Sequence, residues 1–588
     1  MWGQKYRKES WSQLDQNWDI IVIGGGITGA GILREAGRLG LNVLLVEQKD
    51  FAWGTSSRSS KLVHGGLRYL KEGRLGLTRE SVHERQNLLE EGPGLIDPLG
   101  FLLATYKGDK VGRMVYRAGL TIYDLLALQW SHKYYSATDF KLFAPHLSSE
   151  GLKGGFRYGD AETDDARLVL RVIREAVADC QPEQLVMARN YTAVTQLQKD
   201  EDGEVNGVTV QDCESGATVE LTAKLIINAT GAWADHLRGQ VDGEPKIRPL
   251  RGSHIIFPSW RLKVAQAITF LHPIDQRPIM IFPWEGVTLV GTTDFDHCDD
   301  LNQEPHISPE EVAYLMAGVT SQFPSLNLSL DDVISTFAGV RPVIGTGKED
   351  PSQESRDHVV WEESGLLTVT GGKLTTFRLI ALDALKTAKH RLPNLPKIED
   401  EAPVLNLVDT DLTGVTQLTE FARQRLLGRY GVDAQALIDA AHAGELEAIH
   451  GTDYLWAELR WAARAEGIVH LDDLLLRRVR LGLLLKHGGE AQMPRIRQIC
   501  QPELGWDDAR WAQEETAYLT LCRQAYGLPD RTEIPDWREM IMPANTMGSE
   551  VRIMQTHQKT EQRLLVLGGI TAVFVLITYL IWRKRRKQ

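Results

Sequence analysis

Cysteine is scarce in this chain, and its few copies are scattered. The 588 residues include only Cys180, Cys213, Cys298, Cys500 and Cys522, with no CxxC pair and no spacing typical of a metal site. We therefore expect reduced, unpaired thiols of the kind found in cytosolic proteins, and we predict no metal site.

The chain also lacks an excess of basic charge, an export signal and any internal repeat. Its formal net charge of −12 argues against a nucleic-acid partner, because such proteins usually carry a basic stripe. Residues 1–18 are polar and contain no apolar segment of the kind that a signal peptide needs. A chain of 588 residues is too long for a single hydrophobic core, so we expect two or three domains.

One long uncharged apolar run stands near the C-terminus, at residues 564–582, and the cations RKRRK follow it. As a helix it would span roughly 28 Å, which matches a bilayer core and predicts a transmembrane or membrane-anchor helix. The cations suit anionic lipid, but the positive-inside rule would place the body of the protein outside the cell. Since no export signal is present, we predict membrane association with a cytoplasmic body and leave the orientation open.

The N-terminal region has the pattern of a dinucleotide-binding unit. An apolar strand at 20–23 is followed by Gly24, Gly26 and Gly29, which fit G-x-G-x-x-G, and then by a helix that begins near Ile27. The glycines permit a tight turn, close approach to a pyrophosphate and close packing of helix on strand. The N-terminus of the helix would direct its positive dipole at the phosphates.

An acidic residue completes this unit and narrows the choice of cofactor. Glu47 directly follows a second apolar strand at 43–46. A carboxylate there can accept hydrogen bonds from ribose hydroxyls and would repel a 2′-phosphate, which favours FAD or NAD over NADP.

A second strand–glycine–helix unit favours FAD over NAD. Gly371 and Gly372 follow the strand LLTVT, and a helix begins after Lys373. A second helix N-terminus directed at the cofactor could stabilise negative charge on a flavin ring, whereas a nicotinamide has no such need. Gly231, in the turn NATGAW after the strand at 225–227, is predicted to lie at the same edge of the sheet.

The predicted fold class is an α/β (α+β) flavoprotein with a Rossmann-like FAD-binding domain and an antiparallel-sheet substrate domain. A helical C-terminal domain and a C-terminal transmembrane-type helix complete it. The predicted segments are the FAD-binding domain at 17–80, 156–235 and 344–395, a mostly helical insertion at 81–155, the substrate domain at 236–343, the helical domain at 405–545, a linker at 546–563 and the apolar helix at 564–582.

An ordered series of motifs resembles the FAD-dependent glycerol-3-phosphate dehydrogenases of the respiratory, membrane-associated kind. The motifs are GGGITGAGI, GTSSRSSKLVHGGLRYL, DDARLVL, NATGAWAD, GSHIIFP, GTTDFD, AGVRPV and GGKLTTFR. The resemblance is strong over about 17–390 and looser in the helical region around LLLRRVRLGLL. The apolar run at 564–582 is not part of the pattern in bacterial members, which usually bind the membrane peripherally.

The resemblance implies roles for particular residues. His254 is similar to the proposed general base, and a neutral imidazole suits that role near neutral pH. Arg341 would stabilise charge at the reacting hydroxyl, and Lys373 would face the flavin or the substrate. The predicted phosphate contacts are Arg68, Tyr69 and Arg356, although Arg356 stands in a polar stretch that equally suits a surface ion pair.

The remaining predicted site residues contact the cofactor. His64 is a competing imidazole that we expect nearer to the flavin. The complete predicted cofactor set is Gly24, Gly26, Gly29, Glu47, Thr55, Ser56, Ser57, Lys61, His64, Gly65, Gly66, Gly231, Gly371, Gly372, Leu374 and Thr375.

The implied reaction converts sn-glycerol 3-phosphate to dihydroxyacetone phosphate, with FAD as the cofactor and a membrane quinone as the final acceptor. The predicted partners are the substrate, the quinone and the lipid bilayer, without nucleic acid, and a homodimer stays open. Two alternatives remain at this stage. One is an oxidase that uses oxygen, and the other is a membrane-tethered dinucleotide-binding protein without turnover.

Overall fold

The computed structural model describes residues 2–3, 5–71, 73–109, 111–345, 347, 354, 357–399, 401–408 and 411–541. Within these residues there are two large sheets and sixteen α-helices. The strands are β1 Trp18–Ile23, β2 Val43–Val46, β3 Leu62–Val63, β4 Ile96–Tyr106, β5 Lys133–Ser136, β6 Leu152–Thr163, β7 Val186–Arg189, β8 Thr192–Lys199, β9 Val205–Asp212, β10 Thr218–Asn228, β11 Ile247–Pro258, β12 Ala267–Leu271, β13 Pro278–Trp284, β14 Val287–Gly291, β15 Phe295–Asp296, β16 Ser335–Ile344, β17 His358–Glu363 and β18 Leu366–Gly371. The helices are α1 Tyr6–Ser12, α2 Ile27–Arg38, α3 Leu67–Lys71, α4 Leu75–Glu91, α5 Arg113–Ala127, α6 Ala137–Phe143, α7 Asp165–Ala178, α8 Ala234–Arg238, α9 Pro309–Gln322, α10 Phe377–Thr387, α11 Glu420–Tyr430, α12 Ala434–Ala440, α13 Trp456–Ala465, α14 Leu481–Leu484, α15 Met493–Leu504 and α16 Asp508–Ala525.

The first sheet has the parallel core expected of a dinucleotide-binding domain. Its strand order is β17-β18-β10-β1-β2-β7, and every pair from β18 to β7 is parallel. All four residues of β2 are buried, as both faces of a parallel sheet require. Helix α2 packs between α7 and α10 on one face, while β8 and β9 extend from β10 toward the other. The carboxyl ends of β1, β10 and β18 therefore meet at one edge, where their glycine turns begin.

The second sheet is mostly antiparallel. Its order is β15-β11-β14-β13-β12-β4-β6-β3, with β16 paired to β11 and β5 to β6. Only β4 and β12 run parallel within the described pairs. Strands β11 and β16 pair over ten residues and place His254 opposite Phe337 and Leu250 opposite Arg341. Because side chains alternate along a strand, His254 and Arg341 project from the same face of the sheet.

The predicted fold class is wrong in its transmembrane-type helix. An α/β flavoprotein fold with a helical C-terminal region, α11 to α16, is confirmed, but no helix of the described part, which ends at residue 541, could cross a membrane. The longest of these helices, α16, has 18 residues and carries five charged side chains, at Asp508, Arg510, Glu514, Glu515 and Arg523. Residues 564–582, on which the prediction rested, lie outside the described residues.

A buried ionic cluster joins the C-terminal region to both sheets. Asp165, at the start of α7, accepts hydrogen bonds from Lys61 Nζ at 2.8 Å and from Arg480 Nη2 at 3.0 Å, and all three side chains are fully buried. The adjacent Asp164 accepts from Arg429 Nη2 at 2.7 Å and from the Tyr454 hydroxyl at 2.8 Å. Each buried charge has a partner of opposite sign, as burial requires.

We expect Asp165→Asn to lower the free energy of unfolding by about 3 kcal/mol, because it leaves two buried cations without their shared carboxylate. The measurement is the denaturant midpoint of the FAD-loaded protein. Asp331→Asn serves as the matched control, since Asp331 pairs with Arg531 at the surface and is 80% exposed. An exposed pair of this kind contributes roughly 0–1 kcal/mol. Equal shifts for the two variants would contradict the assignment.

Candidate active site

The first glycine turn forms a tight cradle at the start of α2. A Cβ atom on Gly29 would lie 1.9 Å from the carbonyl oxygen of Gly24, and one on Gly24 would lie 2.6 Å from the carbonyl oxygen of Ala229. Gly24 also has φ +114°, a conformation that favours glycine. The Ile27 amide, in the first turn of α2, donates to Ser56 Oγ at 2.9 Å. These contacts bring the predicted residues Gly24, Gly29 and Ser56 together.

Glu47 closes the same turn from the end of β2. Its carboxylate accepts from the Gly25 amide at 2.7 Å and from the Lys49 amide at 2.9 Å. Burial raises the pKa of this carboxyl above its ordinary value, while the two amides oppose that shift. The backbone thus fixes an acidic group beside the glycine turn, where a ribose would need a hydrogen-bond acceptor.

The second glycine turn meets the loop that follows β3. Gly371 and Gly372 both have φ +79°, and the turn leads into the 3₁₀ segment Leu374–Thr376. The Thr375 hydroxyl accepts from the His64 amide at 3.1 Å and can donate to the His64 carbonyl at 3.2 Å. Leu374 is partly buried against the core of the first sheet.

Three further contacts involve the predicted cofactor residues Gly231, Gly65 and Gly66. The Thr370 hydroxyl donates to the carbonyl of Gly231 at 3.2 Å, so the turn after β10 touches the end of β18. Gly65 donates its amide to Asp160 Oδ1 at 2.9 Å. A Cβ on Gly66 would lie 2.3 Å from the ring of Tyr69, so the glycine permits the approach of that ring.

His254 is a buried imidazole on β11. Its Nε2 lies 3.0 Å from Ser60 Oγ, and its ring stacks on Phe337 with centroids 4.5 Å apart. Its Nδ1 is buried and has no hydrogen-bond partner among the described residues. Burial, and then the positive charges of Arg341 and Lys61, hold the pKa of His254 well below its ordinary value. The ring is therefore neutral at physiological pH and can accept a proton.

Arg341 is positioned by two residues of the segment after β14. It donates from Nη1 to Asp294 Oδ1 at 3.1 Å and from Nη2 to Thr292 Oγ1 at 3.2 Å. A Cβ on Gly252 would lie 2.5 Å from Arg341 Nη2, and one on Gly291 would lie 2.2 Å from the ring of His254. These two glycines provide the space that the side chains of Arg341 and His254 occupy.

The predicted substrate cations are located only in part. Lys373 Nζ lies 3.6 Å from the ring centroid of Tyr69 and donates to Ser81 Oγ at 3.0 Å. Arg68 belongs to α3, but its side chain lies outside the described part of the structure. Arg356 also lies outside the described residues.

Thr55, Ser57 and Lys61 occupy the loop between the two sheets. The Thr55 hydroxyl donates to the carbonyl of Val340, next to Arg341. The ammonium of Lys61 is fully buried and donates to the carbonyl of Ser57 at 3.0 Å in addition to Asp165. Burial and the neighbouring Arg480 lower the pKa of Lys61 to about 8. Its charge acts on His254 from within the protein.

Some residues that shape this site were missed in the sequence. Ser60 stands within GTSSRSSKLVHGG, and Thr292 and Asp294 stand within GTTDFD, so their motifs were visible although their contacts were not. The contacts of the Ser60 hydroxyl with His254 and of the Asp294 carboxylate with Arg341 form only because segments far apart in the chain pack together. Periodicity carries no signal for such contacts.

The comparisons with known proteins agree with this geometry. The model of the FAD dependent oxidoreductase family matches residues 19–378, and that of the C-terminal domain of alpha-glycerophosphate oxidase matches residues 403–511. An aerobic glycerol-3-phosphate dehydrogenase of Staphylococcus epidermidis is 35% identical over 489 residues, which cover 79% of this chain and 87% of that protein.

This chain belongs to the FAD-dependent glycerol-3-phosphate dehydrogenase family. The resemblance predicted from the motifs is thereby confirmed. FAD is confirmed as the cofactor of this family member, and the two glycine turns, Glu47 and the N-terminus of α2 provide a cradle that fits its dinucleotide part.

Solved structures extend the likeness to the whole fold of this family member. The glycerol-3-phosphate dehydrogenase of Bacillus halodurans, solved with FAD, superposes with a TM-score of 0.72 at 28% identity and covers 89% of this chain and 98% of its own. The L-alpha-glycerophosphate oxidase of Mycoplasma pneumoniae, also solved with FAD, has a TM-score of 0.50 at 19% identity and covers 66% and 98%. The second comparison shows a shared fold alone.

We expect Gly29→Ala to abolish FAD retention, because its Cβ would collide with the Gly24 carbonyl and open the phosphate-binding turn. FAD content per chain, measured from the visible spectrum of the purified protein, tests this. Gly76→Ala is the matched control, since Gly76 is also helical and a Cβ there meets no atom within 4 Å. A Gly29→Ala protein with full FAD content would refute the cradle.

Proposed function

We propose that this chain oxidises sn-glycerol 3-phosphate to dihydroxyacetone phosphate and that a membrane quinone accepts the electrons. The observation that carries the proposal is the neutral, buried His254 on the same sheet face as Arg341, beside the segments that form the cofactor cradle. Membership of the glycerol-3-phosphate dehydrogenase family supports the choice of substrate.

We assign the proton transfer to His254. Oxidation of a secondary alcohol requires removal of the hydroxyl proton, and a neutral imidazole can accept it. The stacking on Phe337 and the contact to Ser60 Oγ restrict the rotation of the ring. Burial, and then the positive charges of Arg341 and Lys61, lower the pKa of His254 and favour the unprotonated ring.

We assign Arg341 to the reacting oxygen and the remaining cations to the phosphate. Arg341 is held by Thr292 and Asp294, so its guanidinium can stabilise negative charge on an oxygen without reorganising. Lys373 lies over Tyr69, and the two would contact the phosphate dianion together with Arg68 and Arg356. When bound, FAD would supply the acceptor for the hydride that leaves the substrate carbon.

We expect glycerol 3-phosphate to bleach the visible flavin absorbance of the purified protein under anaerobic conditions. Arg341→Ala should slow this bleaching by about 10²–10³-fold, since it removes a preorganised donor to the reacting oxygen. Arg261→Ala is the control, because Arg261 pairs with Asp332 and contacts no predicted site residue, so its loss should leave the rate unchanged.

Three outcomes, one of them from a parallel assay in air, would contradict the proposal. Bleaching by a different alcohol or amine, but not by glycerol 3-phosphate, would refute the substrate. Stoichiometric hydrogen peroxide in air, without reduction of an added quinone, would make the protein an oxidase. Wild-type protein with bound FAD that no substrate reduces would favour a non-catalytic binding protein.

We expect His254→Asn to slow flavin reduction at saturating substrate by about 10²–10⁴-fold through loss of the base. In the wild type the limiting rate should be constant through pH 6.5 and fall only at lower pH, because a lowered pKa delays protonation of the imidazole as the pH decreases. His272→Asn is the matched control. His272 is likewise buried, stacks on Tyr314 and has a pKa lowered by burial, so its loss should affect stability alone. A wild-type rate that falls with a midpoint above pH 6.5 would contradict this assignment.

A further inference from the structure

The short loop at 64–66 lies between the two sheets, and its peptide groups are held from both sides. From the first sheet, the Thr375 hydroxyl accepts from the amide of His64 at 3.1 Å and can donate to the carbonyl of the same residue at 3.2 Å. From the second sheet, Asp160 Oδ1 accepts from the amide of Gly65 at 2.9 Å. The peptide unit between His64 and Gly65 is therefore bonded at its carbonyl to one sheet and at its amide to the other.

Two further side chains fix the carboxylate of Asp160. Arg85 Nη1, on α4, donates to Asp160 Oδ1 at 2.6 Å, and the Tyr123 hydroxyl, on α5, donates to the same atom at 2.8 Å. All three side chains are buried. Burial, and then the charge of Asp160, raise the pKa of Tyr123 well above its ordinary value, so this hydroxyl keeps its proton and acts as a donor. A carboxylate oxygen with three donors, one of them charged, holds a fixed position.

Close packing adds to these hydrogen bonds. A Cβ on Gly65 would lie 2.3 Å from the Tyr123 hydroxyl and 2.5 Å from Cγ2 of Val82, so the backbone lies directly against both side chains. The next residue, Gly66, has φ +74° and lies against the ring of Tyr69. The loop is thus positioned by contact as well as by charge.

The amide of Gly66 is available for a ligand. It donates to no other residue in the described part of the structure, whereas the amides of His64 and Gly65 both have acceptors. Through Thr375 the loop contacts the second glycine turn, which is predicted to face the flavin. An amide whose direction is fixed by its neighbours is a preorganised donor.

We propose that the Gly66 amide donates a hydrogen bond to the flavin ring of FAD, and that Asp160 and Tyr123 are positioning residues for this amide. The inference rests on the proposed function, because it takes this loop to lie at the redox-active ring. Reduction adds negative charge to a flavin, and a donor held in one direction stabilises that charge without reorganising. A purely structural role for the two side chains would instead leave the properties of the flavin unchanged.

The test uses the full-length protein with bound FAD and measures the midpoint potential of the flavin by equilibration with a reference dye. The variant is Tyr123→Phe, which removes one hydroxyl and keeps the ion pair of Arg85 with Asp160. Tyr158→Phe is the matched control. Tyr158 of β6 is also buried, its ring lies 6.2 Å from that of Tyr123, and its hydroxyl makes no hydrogen bond with a described residue.

We expect Tyr123→Phe to lower the equilibrium ratio of reduced to oxidised flavin at a fixed potential about threefold, which is about 14 mV for a two-electron couple. The reason is that a loosened amide stabilises the charge of the reduced ring less well. The control should keep the wild-type ratio. A wild-type potential in Tyr123→Phe would overturn the proposal, and so would an equal shift in Tyr158→Phe.

A second measurement reports on the loop itself. Hydrogen exchange of the Gly65 and Gly66 amides in the FAD-loaded protein should be at least threefold faster in Tyr123→Phe than in the wild type or the control, while the amides of β2 keep their protection. Unchanged exchange at these two glycines would overturn the positioning role.

Neither measurement needs glycerol 3-phosphate, so the two proposals can fail separately. A wild-type flavin that glycerol 3-phosphate does not reduce, combined with the expected shift in potential, would refute the proposed function and support the positioning role. Normal reduction by glycerol 3-phosphate, combined with a wild-type potential in Tyr123→Phe, would do the reverse.

Discussion

Two adjacent carboxylates at the start of α7 hold the architecture together. Asp165 binds Lys61, which belongs to the loop between the two sheets, and Arg480, which belongs to the C-terminal region. Asp164 caps α7 by accepting from the Arg167 amide and also binds Arg429. Burial raises the pKa of Asp164, but Arg480 and Arg429 outweigh it and bring the pKa below its ordinary value. Asp164 therefore remains charged, and the two carboxylates together join three parts of the chain.

This arrangement affects the chemistry proposed for His254. A buried cation near an imidazole disfavours its protonation, and the charge of Lys61 persists in the interior because Asp165 compensates it. Removal of the carboxylate would change the electrostatics at the base as well as the packing. Stability and reactivity thus depend on the same ion pair.

The sequence reveals those parts of the molecule that local patterns encode. The first glycine turn, its helix and the strand pair at 20–23 and 43–46 follow from spacing and apolar runs, and β1, α2 and β2 agree with them. The helix dipole and the capping of α7 by Asp164 likewise depend only on residues that are close together in the sequence. His254 and Arg341 could be identified only through the resemblance to a known family, because no local pattern distinguishes a single functional histidine or arginine from others. The partners of these residues, such as Ser60 and Asp294, depend on pairing between segments far apart in the chain.

Lys61, in the loop between the two sheets, illustrates the same limit of prediction from the sequence. Its position within KLVHGG suggested a contact with the cofactor, while its burial beneath Trp284 and Phe337 depends on β13 and β16. The transmembrane-type helix illustrates a different limit, because an apolar run predicts a helix without locating it in the fold.

The loop that begins at residue 55 is completed by residues that the ribosome adds late in synthesis. Arg480 donates to the carbonyl of Ser57 at 2.8 Å, and Tyr526 hydrogen-bonds to Arg58, so the loop that begins at residue 55 has anchors more than 420 positions downstream. A nascent chain with a folded N-terminal sheet would still lack these anchors. Loading of FAD is therefore expected to follow synthesis of α16, and a chain shortened before that helix would forfeit its cofactor along with its C-terminal region.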